Sequence, residues 1–215
     1  MQWAKRVRAY VRMHGAGYTL HRAGEMLAAR VLLRDEWRFR REKAAKRELA
    51  IQRAHPFPDV RISVVVPVFN TRPKFLRALA DSLLHQSCGA WEACFYDGAS
   101  TRADTRELLQ ALTQEDNRFR VTFGVENRGI AGNTNAALTM ATGKFVALCD
   151  HDDLLAPDAV RCILEAAQDG ADFVYTDEDK VRTDLSEYFQ PHFKPDFDLD
   201  LLCSVNYICH LLAVR

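Results

Sequence analysis

Ile62-Ser63-Val64-Val65-Val66-Pro67 is six residues long, β-branched almost throughout and free of charge. Such a run is too short for a helix and too evenly apolar for a strand with one wet face, so it reads as a buried strand. The pattern around it alternates in period. Residues 73–86 have helical spacing through Phe75, Leu76, Leu79, Leu83 and Leu84, and Glu92 to Tyr96 reads as a second strand ending at Asp97-Gly98. A helix fits 104–113, a strand 119–125, a helix 130–141 and a strand 144–149. A further helix starts near Pro157, a position suited to a first-turn proline, and a strand follows at Phe173-Val174-Tyr175. The order β-α-β-α-β-α-β-α-β predicts an α/β fold, a mostly parallel sheet flanked by helices.

The net charge of zero hides an asymmetry. Residues 1–50 carry 13 Lys/Arg against 5 Asp/Glu, which leaves 16 against 24 in the rest. The basic segment has helical composition with a break at Gly15-Ala16-Gly17, and Leu20, Ala23, Leu27 and Val31 share one face. It either lies on an anionic membrane surface as a peripheral contact, or packs on its own domain with a solvated basic face. His55-Pro56-Phe57-Pro58 ends it, so the sequence divides into 1–58, a helical basic segment, and 59–215, an acidic body. That acidic body argues against nucleic acid as a partner.

No run of about 18 uncharged apolar residues occurs, and no signal-peptide pattern follows the basic N-terminus. A cytoplasmic location is expected, at the inner face of the membrane if the basic helix binds lipid. Six cysteines, without a CxxC pair and with Cys149 and Cys209 in apolar stretches, read as buried reduced thiols.

In open parallel sheets ligands bind at the carboxyl ends of the strands. Polar residues gather there: Asn70, Asp97 to Ser100, Asn127 to Gly129, Asp150 to Asp153, and Asp177 to Lys180. Asp150-His151-Asp152-Asp153 is the strongest of these clusters. Three carboxylates so close repel one another unless a cation neutralises them, and hard oxygen ligands suit Mg²⁺ or Mn²⁺. Asp150 and Asp152, two apart after a strand, can point to one side and so address one metal, or a metal and a ribose. The competing reading is a helix cap with solvated neighbours.

Asp97 either accepts a hydrogen bond from a base or ribose, or caps the helix beginning near Asp104. In Asn127-Arg128-Gly129-Ile130-Ala131-Gly132-Asn133-Thr134-Asn135, two glycines let backbone approach a ligand where a helix N-terminus favours phosphate. Asp177-Glu178-Asp179-Lys180 is either a second acidic part of the site or a surface turn. His151, His192 and His210 read as structural.

Together these pieces resemble the family 2 glycosyltransferases. Ile62 to Asn70 looks like that family's first strand and base-binding turn; Gln86, Trp91-Glu92 and Asp97 through Thr101 follow in order. Asn127, Gly129 and Asn135 match N-x-G-x-x-x-x-x-N, and Asp150 to Asp153 matches D-x-D-D. YTDEDKV at 175–181, FKPDF at 193–197 and NYICHLLAVR at 206–215 are similar to a bacterial subgroup for O-antigen and other surface polysaccharides, often called rhamnosyltransferase-like.

The resemblance implies a GT-A fold and an inverting, hexosyltransferase-type enzyme. Its donor would be a UDP- or dTDP-linked sugar and its acceptor a glycan or lipid-linked sugar. Pro67, Phe69, Asn70, Asp97, Asn127, Gly129, Asn135, Asp150, Asp177 and Asp179 would bind the nucleotide sugar, and Asp152 with Asp150 the metal. Two departures accompany it. Gly98 stands where the family has a second aspartate, and the glycine-rich turn and acidic motif that supply the general base are expected beyond Arg215. The alternative is a nucleotide-sugar-binding fragment lacking that base.

Overall fold

The computed structural model describes residues 45–55, 57 and 60–215, with a few positions between 11 and 24. The basic helix expected over 1–50, with Ala23, Leu27 and Val31 on one face, lies for the most part outside the described residues, as do Pro56 and Pro58. After α1 (Lys46–Ala54) the elements alternate as their periods predict. They are β1 (Ile62–Val68), α2 (Pro73–Leu84), β2 (Trp91–Asp97), α3 (Ala103–Glu115), β3 (Phe119–Phe123), α4 (Gly129–Leu138), β4 (Phe145–Leu148), α5 (Ala159–Gln168) and β5 (Phe173–Tyr175). Beyond them come β6 (Glu178–Val181), β7 (Tyr188–His192), α6 (Leu199–Ser204) and β8 (Leu212–Val214), none of which the sequence pattern announces.

Lys43–Asp177 and Lys194–Arg215 form one compact unit. Its sheet has the order β3-β2-β1-β4-β8-β5. β1 runs parallel to β2 and β4, and β2 parallel to β3; β8 is antiparallel to both β4 and β5. The second unit includes Glu178–Phe193, where β6 and β7 pair as an antiparallel hairpin.

β1 is buried along its length except at Pro67, which is half-buried. Val65 O accepts from Cys149 N at 3.1 Å and Val68 O from Gly98 N at 2.8 Å, so odd positions of β1 face β4 and even positions face β2. Pro67 has no N–H to donate. It therefore falls on the β4 side one step past the Val65–Leu148 pair, where β4 has already ended.

Alternation along β1 also divides the core. Val64, Val66 and Val68 join Leu76, Leu79 and Leu83 of α2, Leu109 and Leu112 of α3, and Ile163 and Leu164 of α5. Val65 turns the other way, with Tyr96, to meet Ala137 of α4. Each fully buried Leu, Ile or Val contributes about 1.5–3 kcal/mol, and this two-sided burial is what a β-branched run without polar alternation requires.

Two expectations are corrected. Pro157 precedes α5 rather than opening it: Asp158 is the N-cap, and the Pro157 carbonyl accepts from Ser87 N at 2.7 Å. All six cysteines are free, but only Cys88, Cys94 and Cys149 are buried. Cys209 follows the buried Tyr207 and Ile208 in a turn with a φ of 39°, which carries its side chain outward. Among the described residues no helix is long and apolar enough to cross a membrane.

Candidate functional site

Because β1, β2, β3 and β4 are parallel, their carboxyl ends share one edge of the sheet, and the polar turns that follow these four strands stand there. At the end of β1, Asn70 adopts a φ of 51°, a left-handed conformation that asparagine tolerates better than most residues. Its side-chain oxygen accepts from Thr101 N at 2.8 Å and Arg102 N at 3.1 Å, while its backbone N–H donates to Ser100 Oγ at 2.7 Å. Asn70 thus ties the β1 turn to the β2 turn. Phe69, beside it, is 41% exposed and offers an apolar face.

Asp97 ends β2 with no exposed surface. Its carboxylate accepts from Ser100 N at 3.2 and 3.3 Å and pairs with Arg106 Nη1 of α3 at 2.9 Å. It does not cap α3, whose N-cap is Arg102. The Arg106 guanidinium lies 4.7 Å from the centre of the Phe123 ring.

The turn into α4 is held by two asparagines. Asn127 Oδ1 accepts from Gly129 N at 3.0 Å and from Asn133 Nδ2 at 2.9 Å, and Asn133 Oδ1 accepts from Arg128 N at 3.1 Å. Gly129 has a φ of 70°, a value that favours glycine. Asn135, the expected partner in this motif, is exposed, whereas Asn133 is buried. The signal for Asn133 was present in the helical phase: it lies four residues before the buried Ala137 and so on the same face.

At the end of β4, Asp150, Asp153 and His210 bring one ligand atom each within 4.8 Å of one another. His210 Nε2 lies 3.2 Å from Asp150 Oδ2. Asp152, the other expected ligand, stands outside this trio, with its carboxylate 3.6 Å from His151 Nδ1. The negative field is felt by the neighbouring Cys149. Burial pushes its thiol well above the ordinary value, and the Asp153, Asp150 and Asp152 carboxylates push it further.

His210 arrives from far along the chain, and a lysine positions it. Lys194 Nζ donates to the carbonyls of Ile208 at 2.5 Å and His210 at 2.6 Å. The backbone N–H of Lys194 donates in turn to Asp177 Oδ1 at 2.8 Å. Asp177 therefore acts on the chain segment that carries His210. Asp179 is a β6 residue of the separate hairpin.

Two carboxylates and an imidazole suit a small divalent cation of the Mn²⁺ or Mg²⁺ kind, oxygen-preferring with tolerance for one nitrogen. With ligand distances of about 2.1 Å, donors around one ion sit up to about 4.2 Å apart, so the trio fits after a small closure.

At the opposite edge of the sheet a cavity of about 310 Å³ is lined by Arg61, Glu92, Asn117, Arg118, Arg120 and Thr142. Burial pushes the Glu92 carboxyl up, but hydrogen bonds from Ser63, Thr142 and Arg120 outweigh it and hold the group at about 2. This is a satisfied buried charge that ties β1, β2, β3 and the α4–β4 turn together.

A mostly parallel sheet covered by helices, with acidic residues clustered after its fourth strand, is the nucleotide-diphospho-sugar transferase architecture of the GT-A type. Residues 63–210 match the family model described as glycosyl transferase family 2, and the chain belongs to that family. It is 41% identical over 152 residues to the uncharacterized protein y4gI of Sinorhizobium fredii, covering 70% of this chain and 17% of that protein. It is 34% identical over 156 residues to the O-antigen biosynthesis protein RfbC of Myxococcus xanthus, covering 72% of this chain and 12% of that protein. The chain thus spans under a fifth of either relative. Residues 1–349 of S. aureus TarS, crystallised with UDP-GlcNAc, superpose with a TM-score of 0.50 at 25% identity, over 54% of this chain and 33% of that one.

Proposed function

We propose that the chain is the donor-binding part of an inverting glycosyltransferase. It would move a hexosyl unit from a UDP- or dTDP-linked donor to a glycan or lipid-linked acceptor in bacterial surface polysaccharide synthesis. The observation that carries this reading is the convergence of Asp150, Asp153 and His210 at the end of β4, on the same sheet edge as Phe69 and the Asn127–Gly129 turn. RfbC favours an O-antigen-like product and the TarS complex a uridine donor; a rhamnosyl donor is the subgroup variant of the same reading.

Each part has a physical task. Pro67 and Phe69 offer apolar surface to a nucleobase, while Asn70, Asp97 and Asn127 shape the turns around it. Gly129 lets backbone come close, and the first N–H groups of α4 favour phosphate, with Asn135 on the exposed side of that helix. Asp150, Asp153 and His210 would hold Mg²⁺ or Mn²⁺, with Asp152 next to them in the chain. When bound, that cation supplies positive charge against the diphosphate as it departs. In the transfer itself an acceptor hydroxyl oxygen bonds to the anomeric carbon as the bond from that carbon to the diphosphate oxygen breaks, inverting the centre, while a carboxylate general base takes the hydroxyl proton. Asp177, through Lys194, keeps the His210 turn in place. The basic segment 1–58 would rest on anionic lipid, and salt-sensitive sedimentation with anionic vesicles tests that contact.

The test of function is release of nucleoside diphosphate from UDP- and dTDP-sugars in the presence of Mn²⁺ and lipid-linked glycan. Wild type is expected to release it and Asp150→Ala to lose that activity. Equal release from both would remove Asp150 and its neighbours from the reaction.

A further inference from the structure

We propose a second binding site, for the phosphate group of a small polar ligand, in the cavity at the amino edge of the sheet. Arg61, Glu92, Asn117, Arg118, Arg120 and Thr142 line its volume of about 310 Å³. Arg61 immediately precedes β1 and Asn70 follows its end. The strand between them, at about 3.3 Å per residue, sets them about 20 Å or more apart. The cavity is therefore distinct from the polar turns at the carboxyl edge, and the proposal stands independently of the donor-site reading.

What the wall offers follows from which of its groups are already committed. Glu92 is 2% exposed, and its Oε1 accepts from Ser63 Oγ and Thr142 N at 2.6 Å each and from Thr142 Oγ1 at 2.8 Å. Its Oε2 accepts from Arg120 Nη1 at 3.1 Å. The one acid in the wall is thus committed to the sheet. Arg118 is committed too: Asp116 accepts from its Nε at 3.0 Å and its Nη2 at 2.7 Å, and its guanidinium lies 3.9 Å from the centre of the Trp91 ring. The other two arginines keep donors in hand. Arg120 bonds only through Nη1, shared between Glu92 and the Met140 carbonyl, which leaves Nε and Nη2. The exposed Arg61 side chain makes no hydrogen bond or ion pair among the described residues. Since Asp116 balances Arg118 and Glu92 balances Arg120, Arg61 leaves the cavity with positive charge in excess.

Uncommitted donors with surplus positive charge suit a ligand that accepts and is anionic. Guanidinium forks match carboxylate and phosphate alike. The two oxygens of a carboxylate are occupied by one fork. A phosphate monoester brings three terminal oxygens and about two negative charges, enough for Arg61 and Arg120 together. Every lining residue is charged or polar, and no aliphatic or aromatic side chain is among them, so a small polar ester such as a sugar phosphate fits better than an acyl chain.

The experiment is calorimetric titration of glucose 1-phosphate, inorganic phosphate and acetate, all in EDTA, into wild type, Arg61→Gln and Arg61→Glu. EDTA keeps cations from the end of β4, so metal-mediated phosphate binding there does not register. The Arg61 side chain has no described partner to lose, so both variants are expected to melt at the wild-type temperature. Wild type is expected to bind phosphate ligands. Arg61→Gln is expected to bind them about tenfold or more weakly, the loss of charge-assisted hydrogen bonds, and Arg61→Glu not measurably. Tighter binding of glucose 1-phosphate than of inorganic phosphate assigns the site to an ester, and equal binding assigns it to free phosphate. No phosphate binding by wild type, acetate binding as tight as phosphate binding, or phosphate binding that either variant leaves unchanged would overturn the site. None of those results touches the donor site at the end of β4.

Discussion

Asn133 fills the space that a side chain at position 98 would need: a Cβ added to Gly98 would lie 2.9 Å from Asn133 Cγ and 3.0 Å from its Oδ1. Asn133 cannot yield freely, because it is buried and bonded to Asn127 Oδ1 and Arg128 N. The absence of a second aspartate after β2 is therefore part of how the α4 turn is built.

Gly98→Ala is expected to cost about 1–3 kcal/mol, the range for overpacking a filled site. Urea denaturation measures it. Gly98→Ala combined with Asn133→Ala should destabilise by less than the sum of the two single changes, since each removes the other's obstacle. Strict additivity would mean that the two side chains do not share the space.

Glu92 gives a pH prediction. Its folded value of about 2 is below the ordinary 4.5, so its stabilisation is complete above pH 4.5 and is lost as pH falls towards 2. The linked free energy is about 3 kcal/mol. Glu92→Gln should lower stability at neutral pH and flatten the stability profile between pH 4.5 and 2. A variant profile parallel to wild type across that window would contradict the network.

The trio after β4 makes a prediction about ligands. Asp153→Asn should weaken Mn²⁺ binding, followed by manganese EPR, by about tenfold or more, and by more than Asp152→Asn does. Lys194→Met removes no ligand but releases the turn carrying His210, so it too should weaken binding, by a smaller factor. A larger loss in Asp152→Asn would restore the pair expected from the sequence.

Thiol accessibility is set by burial. A thiol reagent should titrate Cys162, Cys203 and Cys209 in the native protein and all six cysteines in denaturant. Burial and nearby carboxylates raise the Cys162 thiol, so it should react more slowly than a free thiol. Rapid native labelling of Cys94, which burial pushes up to about 11, would contradict the packing of β2.

The alternating elements were legible because each carried its own period. β1 had an unbroken β-branched run, and α2 had Leu76, Leu79 and Leu83 on one face. β8 was not, since three residues carry no period and its place between β4 and β5 is fixed by pairing with both. The hairpin that carries Asp179 was hidden by its polar composition. Within the site, spacing brought Asp150 and Asp152 to attention. The pairing of Asp150 with His210 depends on chain return through Lys194, and no local pattern encodes it. Asp97 stood out as a carboxylate at a strand end, but its ion-pair partner is Arg106, nine residues on in the next helix, which no local pattern marks.

Calorimetric titration of UDP and dTDP, with Mn²⁺ and then with EDTA, into wild type and Asp150→Asn bears on the donor site itself. We expect binding by wild type with Mn²⁺, and its loss both in EDTA and in Asp150→Asn. Nucleotide binding that ignores the metal and survives Asp150→Asn would contradict a cation-dependent donor site at the end of β4.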